Sequence, residues 1–191
     1  MKKQLWILAG GNGAGKSSFY ESYLKSYDIS FVNADRIAKE TSSKIDAKVS
    51  KQAQEQAMAA CEQKLKDGET FCFETVFSHP SKIDLIMKAK KLGYEVNLVF
   101  IHLSSSALNK ARVLQRVKSG GHNVPPKKIE SRIPRTIENI KEAVKLVDNA
   151  RLIDNSSGED PLKTVVVIKN KKIIYKKEFL PDWVSEIIKG L

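Results

Sequence analysis

The residues best suited to chemistry in this chain form a glycine-rich loop near its start. Residues 10–17 read G-G-N-G-A-G-K-S and fit the spacing G-x-x-x-x-G-K-[ST]. Glycines let the backbone wrap so closely that its N–H groups point at an anion, and the positive end of a following helix adds to that attraction. The spacing predicts that Lys16 contacts the β- and γ-phosphates of a nucleotide and that Ser17 places its hydroxyl on Mg²⁺.

This loop defines a first set of expected nucleotide-binding residues. The alternative interpretation is a flexible glycine turn in front of a helix, but the lysine, the serine and the flanking elements are all present and favour phosphate binding. The expected residues of the loop are Gly10, Gly11, Asn12, Gly13, Ala14, Gly15, Lys16, Ser17 and Ser18.

Two acidic residues lie at or near the ends of predicted strands and are candidates for the chemistry. Asp35 lies at the end of the second predicted strand, and Glu74 lies near the end of the third. In an open parallel sheet these strand ends border the same crevice as the phosphate loop, where acids bind Mg²⁺ or take the proton of an acceptor hydroxyl. The alternatives are a helix N-cap for Asp35 and a structural salt bridge for Glu74.

Four arginines bracket a glycine-rich turn and predict a helical lid over about residues 112–135. Arg112 and Arg116 share one helix face, and Arg132 and Arg135 share another. Such a lid closes over phosphates, expels water and stabilises the charge of a transferring phosphoryl group. The alternative for any single arginine is ordinary solvated helix charge. The four residues are Arg112, Arg116, Arg132 and Arg135.

The elements that must position these residues alternate between strand and helix. This pattern predicts an α/β fold, the three-layer sandwich of P-loop NTPases, with helices on both faces of a mainly parallel five-stranded sheet. The predicted strands are residues 4–9, 29–33, 70–76, 94–103 and 151–154, and predicted helices include residues 18–27, 46–67 and 104–118.

The tail departs from the alternating pattern. Residues 165–169 and 172–177 alternate in polarity around a two-residue turn, which predicts a β-hairpin, and residues 182–189 predict a short helix. Upstream, Pro134 lies inside a long amphipathic stretch and is expected to kink or break it. Because no long linker divides the chain, residues 1–191 are expected to form a single domain, with the hairpin and last helix at residues 163–190.

Composition bounds the class of protein. The chain has 191 residues, 41% apolar and 29% charged, and no stretch approaches a membrane span, as expected for a cytoplasmic globular protein. Cys61 and Cys72 are predicted to be reduced core residues. The net charge of +11 fits polyanionic partners, including nucleotides and nucleic acid, although a solvated lysine-rich surface explains much of it.

Other motifs separate the classes of protein that use a phosphate loop. The guanine-reading N-K-x-D pattern of switch GTPases is absent. Residues 119–121, S-G-G, resemble part of a transporter ATPase signature, but a basic helical stretch follows where those enzymes need an apolar strand ending in Asp-Glu. Both classes are excluded on these grounds, and the acids and arginines favour a small-molecule kinase.

Four motifs in series resemble the zeta-toxin-like P-loop kinases over roughly residues 4–155. They are the phosphate loop, N-A-D at residues 33–35, F-E-T at residues 73–75 and R-V-K-S-G-G-H-N-V-P at residues 116–125. Zeta toxins of toxin–antitoxin systems phosphorylate UDP-N-acetylglucosamine, and some relatives are described only as predicted ATPases. The resemblance implies ATP and Mg²⁺ as cofactors, a sugar nucleotide as the acceptor and an antitoxin as a protein partner.

The resemblance also implies roles for individual residues. Asp35 matches the general base, and Arg116 with either Arg132 or Arg135 matches the lid arginines, so the catalytic set is Asp35, Lys16, Arg116, Arg132 and Arg135. The nucleotide set gains Asp154 and Asn155, which match a segment near the adenine. The substrate set is Asp35, Arg36, Glu74 and Thr75, and the metal set is Ser17 and Glu74.

The resemblance supports kinase chemistry better than it supports one substrate, because the chain lacks the longer substrate-side insertions of the larger toxins. The leading hypothesis is a kinase that phosphorylates a hydroxyl of a small anionic metabolite, UDP-N-acetylglucosamine or a related sugar nucleotide. Two alternatives stay open: a kinase for the 5′-hydroxyl of nucleic acid, and a toxin-like module that acts mainly by binding an antitoxin.

Overall fold

The apolar segments of the chain form the strands of one sheet. The computed structural model describes residues 2–42, 44–121 and 123–191, and within these residues the sheet has seven strands. The strands are β1 (Gln4–Ala9), β2 (Ser30–Asn33), β3 (Phe71–Thr75), β4 (Glu95–His102), β5 (Asn149–Asp154), β6 (Lys163–Lys169) and β7 (Lys172–Lys176). Their order across the sheet is β2-β3-β1-β4-β5-β6-β7.

The first five strands in this order, β2, β3, β1, β4 and β5, are parallel. The two strands of the tail raise the strand count. β6 pairs antiparallel with β5, and β7 pairs antiparallel with β6, so the predicted hairpin is confirmed. The prediction of a five-stranded sheet is wrong by two strands, because this hairpin extends the sheet. The hairpin satisfies backbone groups that β5 would otherwise leave unpaired, and it adds the buried side chains of Val166 and Ile168 to the core.

Helices cover both faces of the sheet, which confirms the predicted α/β layers. They are α1 (Lys16–Phe19), α2 (Ala34–Thr41), α3 (Ala47–Asp67), α4 (Ser81–Lys91), α5 (Ser106–Lys118), α6 (Pro126–Ala143) and α7 (Asp182–Ile188). One face packs against α3, α4, α6 and α7, and the other packs against α1 and the turns that follow it. In the described part of the chain, no helix combines the length and apolar content needed to cross a membrane.

The first predicted helix is present but changes its winding. After α1 the chain continues as a π-helical turn, Tyr20–Leu24, and a 3-10 turn, Lys25–Tyr27. Tyr20 donates its hydroxyl hydrogen bond to the carbonyl of Ile29 at 2.9 Å and stacks on Phe31 with ring centroids 4.0 Å apart. These contacts fix the segment that connects the phosphate loop to β2.

Of the two outcomes predicted at Pro134, a kink or a break, the break does not occur, because α6 is continuous through this residue. Pro134 and Glu130 are both exposed, so water can bond the Glu130 carbonyl that lacks its helical donor. The buried side of α6, with Ile129 and Ile140, packs into the core and holds the helix together across the proline.

Cys61 and Cys72 are buried and free, as the composition predicted. Burial in an apolar core raises the pKa of the Cys61 thiol to about 12. Neither residue is therefore suited to redox or nucleophilic chemistry at neutral pH.

His102, the last residue of β4, is buried between two aromatic rings. Its ring centroid lies 5.5 Å from that of Phe100 and 4.9 Å from that of Trp183 in α7. Burial lowers the pKa of His102 to about 4, with the charge of Asp154 opposing that shift. A neutral imidazole is thus part of the packing between the sheet and α7.

We expect the contribution of His102 to the free energy of unfolding to be fully present above about pH 6.5 and to decrease by about 3 kcal/mol as the pH falls to 4. The reason is that the imidazole takes up its proton near pH 6.5 in the unfolded chain but only near pH 4 in the folded protein. Denaturant titrations between pH 7 and pH 4 measure this loss. His102→Gln should flatten the dependence, whereas His79→Gln, which alters an exposed histidine, should leave it in place. An unchanged slope in His102→Gln would contradict the assignment.

Candidate functional site

Parallel strands bring the predicted site residues to one edge of the sheet. β3 lies between β1 and β2, and in the strand registers Glu74 is opposite Leu8 on one side and Asn33 on the other. The phosphate loop after β1 and the start of α2 after β2 therefore flank Glu74. On the other side of β1, β4 and β5 end together, with His102 opposite Asp154. This crevice at the carboxyl ends of the strands is where ligands bind in open α/β sheets.

Two glycines of the phosphate loop are required by close contacts. Gly10 has φ 148°, and a Cβ there would lie 2.1 Å from the carbonyl oxygen of Ile101. Gly15 has φ 104°, and a Cβ there would lie 2.4 Å from Nδ2 of Asn155. Both φ values favour glycine, and both contacts leave no room for a side chain. The loop can follow its path only with glycine at these positions.

Two buried asparagines fasten the phosphate loop to the rest of the site. Asn109 of α5 donates from Nδ2 to the carbonyl of Asn12 at 2.7 Å. Asn155 donates from Nδ2 to the carbonyl of Ala14 at 2.8 Å, and its Oδ1 accepts from the backbone N–H of Leu162 at 2.9 Å. Both amides hold loop carbonyls and therefore help to fix the path of the loop.

The structure places the predicted pair at residues 154–155 beside the phosphate loop. Arg112 donates from Nη2 to the backbone carbonyl of Asn155 at 2.8 Å, and Oδ1 of Asp154 accepts from the backbone N–H of Ser156 at 2.9 Å. The side chain of Asn155 thus positions the loop, while that of Asp154 closes a turn after β5. Asn109 was missed by the sequence analysis, because no motif marks a lone amide on a helix.

Lys16, Ser17 and Glu74 form a compact polar cluster beneath the loop. Lys16 donates from Nζ to the carbonyl of Gly11 at 3.0 Å and lies 3.8 Å from Oε1 of Glu74. Ser17 donates from Oγ to Oε2 of Glu74 at 2.8 Å. Burial lowers the pKa of Lys16, and the negative charges of Glu74 and Asp35 oppose that shift. Glu74 is thus paired, and both of its oxygens face the loop.

The same cluster fits a magnesium ion. Adjacent ligands of octahedral Mg²⁺ at 2.0–2.1 Å stand about 3 Å apart. The oxygens of Ser17 and Glu74, 2.8 Å apart, have this separation. In residues 2–42, 44–121 and 123–191 no group of three or more His, Cys, Asp or Glu side chains could hold a metal. In nucleotide sites Mg²⁺ is usually bound by one or two protein side chains, and phosphate oxygens and water complete its coordination.

Asp35 is free for chemistry, because a different residue caps α2. The side-chain oxygen of Asn33 accepts from the backbone N–H of Arg36 at 3.0 Å, so Asn33 is the N-cap. The alternative interpretation of Asp35 as the N-cap is wrong. Its half-buried carboxylate lines the cavity described below, and its charge acts on both Lys16 and Arg132.

A cavity of about 110 Å³ adjoins the phosphate loop on the side of α2, α3 and α4. Its floor is apolar, with Ala57 and Phe73, and its walls carry charged and hydrogen-bonding groups. The polar lining residues are Asn12, Lys16, Asn33, Asp35, Gln54, Glu74, Thr75, Ser78, His79, Lys82 and Arg132. Only part of this set was predicted, because Gln54, Ser78, His79 and Lys82 belong to no recognisable motif.

Arg132 and Arg135, three residues apart on α6, have different surroundings. Arg132 lines the cavity and donates from Nη1 to Oδ1 of Asn12 at 3.2 Å. Burial lowers its pKa, and the charge of Asp35 opposes that shift. Arg135 is exposed and donates from Nε to the carbonyl of Ser131 on its own helix at 3.1 Å. Of these two candidates, the structure brings only Arg132 to the site.

The remaining candidates take different places. Arg116 lies near enough for its positive charge to lower the pKa of Lys16, and Gly121 packs against its stem, where a Cβ would lie 2.5 Å from Cγ. Arg36 is exposed and lies over the ring of Phe31, 5.6 Å from the centroid, away from the cavity lining. His122, part of the fourth motif, lies outside the described residues.

The segment after β3 forms one wall of the cavity and is held by α6. Phe77 is buried with φ 65°, a strained value for a bulky residue. Asn139 donates from Nδ2 to the carbonyl of Phe77 at 2.9 Å, and Thr136 donates from Oγ1 to the carbonyl of Val76 at 3.0 Å. Thr75, a predicted substrate residue, accepts from the Phe77 N–H at 3.2 Å. α6 therefore fixes both Arg132 and the opposite wall.

Comparison with known families gives a match over most of the chain. The family model described as Zeta toxin matches residues 1–173. An uncharacterized protein of Haemophilus influenzae is 29% identical over 129 residues, which cover 64% of this chain and 91% of that protein.

Among the solved structures that share the fold at low sequence identity are two protein complexes. A chain of the AvrRxo1-ORF1:-ORF2 complex with ATP is 19% identical, with a TM-score of 0.72 over 98% of this chain. The present chain spans 64% of its length. A chain of the PezAT chromosomal toxin–antitoxin system of Streptococcus pneumoniae is 15% identical, with a TM-score of 0.66 over 99% of this chain and 84% of that one.

Asn155→Asp tests whether the amide of Asn155 holds the phosphate loop. The change keeps an oxygen for Leu162 but sets an acceptor against the Ala14 carbonyl. We expect nucleotide affinity to fall about tenfold or more and the free energy of unfolding to fall by about 2 kcal/mol. Titration with a fluorescent nucleotide and denaturant unfolding measure the two effects. Asn170→Asp, the same change in an exposed turn, is the control, and equal behaviour of the two variants would contradict the role.

Proposed function

Because the chain belongs to the zeta-toxin family, we propose that it is an ATP- and Mg²⁺-dependent kinase that phosphorylates a hydroxyl of a small anionic metabolite. The observation that carries the proposal is the cavity beside the phosphate loop, where the carboxylate of Asp35 faces the cations of Lys16 and Arg132. An acid next to bound phosphates is the arrangement that phosphoryl transfer to a hydroxyl requires.

The phosphate loop would hold the nucleotide, with backbone N–H groups and Lys16 on its phosphates. Residues 154–155 would border the adenine side. Ser17 and Glu74 would hold Mg²⁺, which neutralises charge on the phosphates when bound. Glu74 then has two partners, the metal and Lys16, and this explains why the carboxylate is tolerated at the edge of the core.

Asp35 would accept the proton of the acceptor hydroxyl. As the hydroxyl oxygen forms its bond to the γ-phosphorus, the bond from that phosphorus to the bridging oxygen breaks and ADP leaves. Lys16, Arg116 and Arg132 would stabilise the negative charge on the equatorial oxygens of the transferring group. The hydrogen bond from Arg132 to Asn12 in the loop keeps its guanidinium directed at this position.

We propose UDP-N-acetylglucosamine or a related sugar nucleotide as the acceptor. Hydroxyl and amide groups around the cavity, from Gln54, Thr75 and Ser78, suit a ligand rich in hydroxyls, and the apolar floor suits the face of a sugar ring. The net charge of +11 favours an anionic acceptor and an acidic protein partner. A toxin of a toxin–antitoxin pair, neutralised by such a partner, is the biological role that we propose.

Asp35→Asn separates binding from transfer. We expect ATP affinity to stay within about threefold of wild type and phosphoryl transfer to fall by on the order of 10³-fold, since an amide cannot accept the proton. The Lys16→Ala variant should lose both ATP binding and phosphoryl transfer. The measurement uses labelled ATP with UDP-N-acetylglucosamine, other sugar nucleotides, nucleosides and 5′-hydroxyl oligonucleotides. Transfer by Asp35→Asn at a near wild-type rate would contradict the base, and transfer only to oligonucleotides would contradict the acceptor class.

Arg132→Ala and Arg135→Ala form a matched pair on one helix. Because only Arg132 lines the cavity, we expect Arg132→Ala to lower kcat by on the order of 10²-fold or more and Arg135→Ala to lower it less than about threefold. Steady-state kinetics at saturating ATP decide between them. A larger loss in Arg135→Ala would show that the second lid arginine had been assigned to the wrong residue.

A further inference from the structure

Lys82, in the first turn of α4, is a cation of the cavity for which the proposed reaction has no use. It is half-buried and lines the cavity. Its ammonium donates to Oγ of the adjacent Ser81 at 3.1 Å and stands 6.0 Å from the centroid of the Phe73 ring. An ammonium group on an apolar floor with one neutral hydroxyl partner is poorly solvated.

No carboxylate of the described residues compensates this charge. Burial lowers the pKa of Lys82, as expected for an ammonium group with no acid at ion-pair distance within the described ranges. Two other lysines of α4 are paired, Lys88 with Glu62 and Lys90 with Asp148, and Lys91 is exposed to water. A desolvated cation without an acid calls for an anion from outside the chain.

Lys82 and Asp35 line the same cavity from different helices, Asp35 from the start of α2 and Lys82 from the start of α4. Lys16 lies 3.8 Å from Oε1 of Glu74 beside the phosphate loop, whereas the Lys82 ammonium lies over the ring of Phe73. A single ligand that fills the cavity can present a hydroxyl to Asp35 and a different group to Lys82.

We propose that Lys82 binds an anionic group, phosphate or carboxylate, of the acceptor while the acceptor hydroxyl lies at Asp35. This subsite rests on the proposed kinase function and adds a specificity residue to it. A neutral acceptor would leave the Lys82 ammonium desolvated and unpaired, so the site selects charged acceptors over uncharged ones of the same shape. The guanidinium and ammonium groups at the phosphate loop serve the nucleotide, whereas Lys82 serves the acceptor.

The test is anion binding with the nucleotide site already filled. Wild type, Lys82→Gln, Lys82→Arg and Lys91→Gln are saturated with Mg²⁺ and a non-hydrolysable ATP analogue and titrated calorimetrically with inorganic phosphate or with malonate. We expect at least one anion to bind wild type, with its Kd raised about tenfold or more in Lys82→Gln and largely restored in Lys82→Arg. Lys91, exposed on the same helix, is the control and should leave the Kd unchanged. Tighter binding of inorganic phosphate would indicate a phosphate subsite, and tighter binding of malonate would indicate a carboxylate subsite.

The affinity for the ATP analogue and the circular-dichroism melting curve report whether each variant is folded. If neither anion binds wild type, or if Lys82→Gln binds both as wild type does, the subsite is overturned. Binding needs no transfer, so the two proposals fail separately. A protein that binds the anion through Lys82 and phosphorylates no acceptor would refute the kinase assignment, whereas transfer with equal KM in wild type and Lys82→Gln would refute the subsite.

Discussion

The site depends on how a buried ammonium group is compensated. Lys16 is almost fully enclosed, and burying its charge without partners would cost several kcal/mol. The Gly11 carbonyl accepts its hydrogen bond, and the carboxylates of Glu74 and Asp35 supply opposite charge. Each partner comes from a different segment of the chain. These segments meet at one sheet edge because β1, β2 and β3 are neighbouring parallel strands.

The phosphate loop is shaped by the fold and not by its glycines alone. Glycine permits the path, but the amides of Asn109 and Asn155 hold its carbonyls, and Arg112 holds the backbone of Asn155 in turn. A loop fixed in this way loses little conformational entropy when phosphates bind. The phosphate loop is thus held by hydrogen bonds within the chain, whereas the neighbouring cavity is lined by polar groups that a ligand could contact.

One helix, α6, contributes to two parts of the candidate site. α6 carries Arg132 toward the phosphate loop and, through Thr136 and Asn139, holds the strained segment at Phe77 that walls the cavity. Any movement of α6 would shift Arg132 and this wall of the cavity together. Lys82, at the start of α4, lines the same cavity, so the anion contact proposed for it would come from a helix other than α6.

Local sequence determined the phosphate loop, the parallel strands and the positions of Asp35 just after β2 and Glu74 near the end of β3, because glycine spacing and apolar periodicity act over a few residues. Only the tertiary structure decided which side chains meet. Asn155 reaches a carbonyl 141 residues away, the hairpin joins the sheet through β5, and Asn33 takes the capping role that Asp35 also suited. The choice between Arg132 and Arg135 and the exposure of Lys82 to the cavity depend on how helices rotate against the sheet. That rotation is set by packing between distant segments, on which short-range pattern carries no information.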